Sequence, residues 1–169
     1  MSDLTYPEVG FTRPGLDLPT GYHHVTVRAR VGAGDRAFQA VVAEMREWGI
    51  HRRAGLTVRD PHPPAIGVRL DARLGVGPLA LPAPVRVVWL HDEEDLYGYG
   101  FGTVAGHPAT GEEAFIVTRA GASGAVYFEV RAFSRPAAWY MRLGGPAGRL
   151  AQRLVTGRYV AAARRAANP

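Results

Sequence analysis

The chain has 169 residues, 47% of them apolar, which suits one domain with a substantial core and is too apolar for a disordered chain. It has no cysteine, which excludes disulfides, thiolate metal sites and a cysteine nucleophile, and no lysine, which excludes a Schiff base or a lysine general base. The net charge of +5 comes from 20 arginines, as a GC-rich bacterial genome would give. Acidic residues are interleaved with them, and no arginine run with aromatic spacing points to nucleic acid.

Residues 1–21 are rich in Gly, Pro and Thr and read as an irregular lead-in. They lack a basic segment followed by an apolar stretch, and no later apolar run reaches the roughly 20 residues that span a bilayer. The expectation is a single cytoplasmic domain over 1–169, without a membrane span. Oligomeric state is not legible.

Val25 to Val31 alternates apolar and polar residues, which predicts a half-buried strand that ends at Gly32 and Gly34. Asp35 is placed to cap a helix reaching about Trp48. Phe38, Val41, Val42, Met45 and Trp48 form its apolar face, and Gly49 its stop. From Ile66 to Leu74 the period becomes two. A turn over 75–78 leads to an extended run ending at Val85–Leu90. His91-Asp92-Glu93-Glu94-Asp95 reads as a solvated hairpin tip.

Tyr97, Tyr99 and Phe101 alternate with Gly98, Gly100 and Gly102. A row of glycines weakens a strand, so something must come close to that face: a packed helix or a ligand. Strands follow at Ala114–Arg119 and Ala125–Phe133. Pro136 is suited to open a helix containing Trp139. A second helical segment over 147–166 carries Leu150, Ala151, Leu154, Val155 and Ala161 along one side.

This order predicts an α+β protein. A curved antiparallel meander of about six or seven strands wraps a long C-terminal helix, with a short helix after the first strand. This is the helix-grip arrangement, and it leaves a space between sheet and helix.

Chemistry could sit at a few places. His107, with Glu112 and Glu113, could form an acid–base pair; equally, His and Glu could fix a hairpin turn through backbone hydrogen bonds. Adjacent Glu112 and Glu113 point to opposite strand faces, so at most one would share a site with His107. His51, beside Arg52 and Arg53, could receive a head group or be a structural loop histidine. Arg135 could clamp a carboxylate or pair with Glu112 or Glu113. Glu129 is expected in an exposed cross-strand ion pair. Trp89, Tyr97, Tyr99, Phe101, Phe115 and Trp139 are the aromatic candidates for a pocket wall. Adjacent His23 and His24 face opposite ways, and no His-x-His or HExxH spacing occurs, so no metal is expected. Neither GxGxxG nor a Walker lysine is found, so no cofactor is expected. The expected partner is a small apolar or amphipathic molecule. The alternatives are a cyclase- or hydrolase-like enzyme using His107 with Glu112 or Glu113, and a protein-interaction or membrane-surface module.

Four stretches carry a resemblance. They are Tyr6-Pro7-Glu8-Val9-Gly10, the Trp48–Gly55 region, Gly106-His107-Pro108-Ala109-Thr110-Gly111-Glu112-Glu113-Ala114-Phe115, and Phe133-Ser134-Arg135-Pro136-Ala137-Ala138-Trp139-Tyr140. In them the chain resembles the family catalogued as domain of unknown function 1990. The resemblance implies the helix-grip fold shared by pollen allergens, lipid-transfer domains and polyketide cyclases, and supplies no activity of its own.

Overall fold

The protein is described here by a computed structural model, which covers residues 3–58, 62–74, 80–137 and 145–168. Seven strands form one antiparallel sheet: β1 (His23–Ala33), β2 (Leu56–Val58), β3 (Arg69–Leu74), β4 (Leu81–Asp92), β5 (Leu96–Thr103), β6 (Ala109–Arg119) and β7 (Ala125–Pro136). Their spatial order is β1-β7-β6-β5-β4-β3-β2, a meander from β2 to β7 with β1 added beside the last strand. Register shifts at Arg30/Gly32 and Val87/Trp89 insert irregularities of the kind that bend a sheet.

Helix α1 (Gly34–Arg46) buries Ala37, Phe38, Val41, Val42 and Met45, the face its periodicity predicts. Its start differs from expectation. The N-cap is Ala33, and Asp35 lies inside the first turn, where its charge suits the helix dipole and pairs with Arg119 at 2.8 Å. Gly49 is not a terminator. Trp48 itself turns left-handed (φ 60°), and Gly49 opens a second helix, α2 (Gly49–Ala54). A left-handed non-glycine residue costs about 1 kcal/mol or more. Burial of the Trp48 indole, with its Nε1 donating to the His62 carbonyl at 2.7 Å, offsets that cost.

The long helix α3 (Gly145–Ala167) lies against β1, β7, α1 and α2. Its buried face is Thr156, Tyr159, Val160, Ala162, Ala163 and Ala167. Leu154 and Ala161, expected on the inner side, point outward. The inner face follows the helical period of smaller and partly polar residues, which a count of leucines overlooks. Two neighbouring strand boundaries also differ from expectation. Ile66 is exposed before β3 begins, and Pro136 is the last residue of β7, opposite Ala109. A strand end tolerates the missing N–H. Residues 75–78, Trp139 and the rest of the helix expected after Pro136, up to 143, lie outside the described residues.

The glycine row belongs to the sheet's outer face. A Cβ on Gly100 would collide with the Trp89 indole, and one on Gly102 with the Tyr6 hydroxyl and, at 2.7 Å, Leu4. The glycines therefore admit a tryptophan and the N-terminal segment, not a helix. Tyr97, Tyr99 and Phe101 face the opposite way, into the core formed with α1, α2 and α3. Both faces of the central strands are consequently covered.

Candidate ligand-binding cavity

Between the sheet and the helices lies a cavity of about 360 Å³. Leu56, Val58, Leu70, Ala72, Val85 and Phe101 form most of its sheet wall. Trp48 and His51 enter from the α1–α2 corner. Gln152, Val155, Thr156 and Tyr159 enter from α3, at the i, i+3, i+4, i+7 spacing of one helix face. That spacing is present in the sequence, and it is the signal that would have joined Gln152, Thr156 and Tyr159 to the expected Val155.

His51 is buried on α2 among aromatic rings, not in a solvated loop. Its ring meets Phe115 edge-on at 4.4 Å, with Trp48, Phe101 and Tyr159 at 5.4, 5.4 and 5.5 Å. Neither ring nitrogen has a hydrogen-bond partner among the described residues. Leaving such groups unsatisfied costs about 1–3 kcal/mol each. Burial, and secondarily the Arg52 charge, push the imidazole down to about 3, so it is neutral at physiological pH.

Glu112 and Glu113 separate as strand alternation requires. The Glu112 carboxylate accepts from the Tyr6 hydroxyl at 2.7 Å, the Gly10 N–H at 2.7 Å, the Thr12 N–H at 3.0 Å and the Thr12 hydroxyl. It also lies 3.3 Å from the Trp89 indole nitrogen. It anchors the N-terminal segment to the outer face. Glu113 stands on the inner face, opposite Phe101 on β5 and Ala132 on β7, and lines the cavity. No described residue gives its carboxyl a hydrogen bond or an ion pair. Burial raises it to about 7, and its charge in turn helps hold the Tyr159 phenol well above its usual range.

His107 lies in the turn before β6 and also lines the cavity. Its Nδ1 lies 2.9 Å from the Ala109 carbonyl oxygen and 3.0 Å from the Ala109 backbone nitrogen, closing the turn. Burial lowers its pKa, opposed by the contact with the Ala109 backbone. All three of the expected trio border this space, but the Glu112 carboxylate is directed to the other face, leaving His107 and Glu113 as the pair whose polar groups share the cavity.

The remaining candidates scatter. Trp89 is on the outer face, its indole donating to the Thr12 hydroxyl at 2.9 Å. Tyr97 lies under Arg46, whose guanidinium grips Asp92 with bonds of 2.8 and 2.7 Å. Tyr99 is core, donating to the Met45 carbonyl at 3.2 Å, and Phe115 backs His51. Arg135 stacks over Tyr22 at 5.0 Å. Glu129 sits between Arg28 and Arg131, each at 3.8 Å.

The family model for "Domain of unknown function (DUF1990)" matches residues 5–162. The chain belongs to this family. A UPF0548 protein of Dictyostelium discoideum is 31% identical to this DUF1990 chain over 142 residues, 75% of the chain and 64% of the relative. A UPF0548 protein of Deinococcus radiodurans is 47% identical over 68 residues, 40% of the chain and 34% of the relative. The chain thus spans between about a third and two-thirds of these curated relatives. Among solved structures, a hypothetical protein from Helicobacter pylori aligns with a TM-score of 0.63 at 12% identity, covering 97% of this chain and 98% of that one. Ara h 8.0201 aligns with a TM-score of 0.56 at 12% identity, covering 87% and 98%. At such identities the likeness is one of fold, and the fold is the Bet v 1-like helix grip.

Proposed function

We propose that this DUF1990 chain binds a small, largely apolar molecule in the cavity between its sheet and α3. The observation that carries this reading is the composition of the cavity wall. Aliphatic and aromatic side chains dominate it, and a few polar groups (His51, Glu113, Thr156, Tyr159) converge on the same space. A wall designed only for packing would close on itself, since cores reach crystal-like density. Two unpartnered imidazole nitrogens on such a wall are groups a ligand can satisfy. Native mass spectrometry of the purified protein, followed by denaturing extraction, tests the reading. A near-stoichiometric small apolar molecule is expected. Failure of any apolar compound to displace a carried molecule or perturb Trp48 emission would sink it.

A second reading is favoured by one observation. Glu113 lines an apolar space with no described partner, and burial raises its carboxyl to about 7, the range that suits a general acid or base. In that case Glu113 is the proton-transfer group, with His107 beside the same cavity. Glu113→Gln would then retain binding and lose turnover of the extracted compound.

A further inference from the structure

We infer that the cavity selects a ligand with an apolar body and a single protonated amine, held by the Glu113 carboxylate and flanked by the rings of Trp48, Phe101 and Tyr159. This rests on the binding reading above and deepens it.

The argument begins with charge. The chain carries twenty arginines, and among the described residues none lines the cavity. Glu112 and Glu113 both border this space, but the Glu112 carboxylate is tied to Tyr6, Gly10 and Thr12 on the other face, so among the described residues Glu113 is the acidic group free to meet a ligand. A buried carboxylate is tolerated when a cation or several donors meet it. No described residue supplies either to Glu113. An anionic head group would face this carboxyl with no cationic side chain among the described lining residues to receive it. A protonated amine supplies the missing counter-charge. Aromatic faces add to that attraction, since ring quadrupoles favour a nearby cation. Trp48, Phe101 and Tyr159 all line the same volume, and the neutral His51 repels no cation there. A 360 Å³ space suits a molecule with about a dozen heavy atoms.

Among the described residues, the titratable groups lining the cavity with Glu113 and free to face it are Tyr159 on α3, His51 on α2 and His107 in the β5–β6 turn. Tyr159 is held protonated by burial and by Glu113, and His51 is held neutral by burial. Burial also lowers His107. Glu113 is therefore the group that changes charge near neutrality. Amine affinity should fall as pH falls through about 7, when the carboxyl takes up a proton while the amine stays charged.

The test is calorimetric titration of the full chain with three matched probes: 4-phenylbutylamine, 4-phenylbutanol and 4-phenylbutanoate. At about pH 8 the amine should bind roughly tenfold or more tighter than the alcohol, and the carboxylate weakest. At about pH 5.5 the amine's advantage should vanish while alcohol binding is unchanged. Glu113→Gln should remove the advantage at both pH values and still bind the alcohol, which also shows that the variant is folded. Should that variant fail to fold, the pH dependence of the wild type decides alone. Alcohol or carboxylate binding as tightly as the amine would overturn the inference and leave the cavity reading standing. No binding of any probe would overturn both.

Discussion

Glu112 and Glu113 are neighbours in β6 that occupy opposite faces of one sheet, the first saturated with hydrogen bonds and the second without any among the described residues. One fastens the N-terminal segment; the other furnishes the cavity. Substituting each should therefore produce different phenotypes.

Glu112→Ala should destabilise the protein by about 3 kcal/mol or more, because the Tyr6, Gly10, Thr12 and Trp89 donors lose their shared acceptor in a buried site. Urea unfolding measures this, and a loss below about 1 kcal/mol would show that the anchor is dispensable. Ligand affinity should change little.

Gly111 adopts φ +144°, and a Cβ there would collide with the Phe133 carbonyl oxygen and lie 2.9 Å from the Ser134 Cα. Both are backbone atoms of the paired strand and have no rotamer in which to escape. Gly111→Ala should cost about 3 kcal/mol or more. Wild-type stability in thermal unfolding would contradict the close β6–β7 approach.

His51 and Glu113 give opposite pH dependences. His51 titrates lower in the folded chain, at about 3 against an ordinary 6.5, so the stability it contributes is present above 6.5 and lost as pH falls toward 3. Glu113 titrates higher, at about 7 against 4.5, so its contribution is present below 4.5 and lost as pH rises toward 7. Between about 4.5 and 6.5 the two slopes oppose each other. His51→Phe should flatten the acid limb and Glu113→Gln the neutral limb, in urea unfolding measured across pH. Unchanged limbs would mean that these groups are hydrated in the folded state.

Ala132 on β7 faces the cavity from beside Glu113. Ala132→Leu should fill space without loss of stability, since it covers apolar wall, and should abolish binding of the extracted ligand. Binding at wild-type affinity would place the ligand elsewhere.

Much of this architecture could be read from the sequence, because period-two runs and the Phe38–Met45 stripe state their secondary structure directly. Opposition of Glu112 and Glu113 also followed from strand alternation. What could not be read depended on contacts distant in sequence. The glycines at 98, 100 and 102 announce close approach but not its agent. At Gly100 and Gly102 that agent is Trp89 and the N-terminal segment, which Glu112 bonds, and at Gly98 it is the neighbouring strand at Phe115 and Ile116. The inner face of α3 is hidden in the sequence because Thr156 and Gln152 are polar, and polarity marks solvent unless a cavity exists to receive it. The inward position of His51 is not legible in the sequence because the left-handed turn at Trp48, which precedes α2, occurs at a residue that rarely adopts it.

The position of β1 beside β7 sets the order in which the protein is made. Residues 23–33 leave the ribosome about 100 residues before their partner, 125–136, exists. At typical elongation rates that interval is roughly 5–20 s, far longer than the formation of any local hairpin. The β2–β7 meander can assemble as it emerges, each strand finding its predecessor. The first strand must wait with an unpaired edge until the last arrives, and α3, made later still, closes the core. Folding of this chain is thus a matter of keeping one early strand unengaged, and a nascent chain stalled before residue 125 is the form most open to misassembly and to chaperone capture.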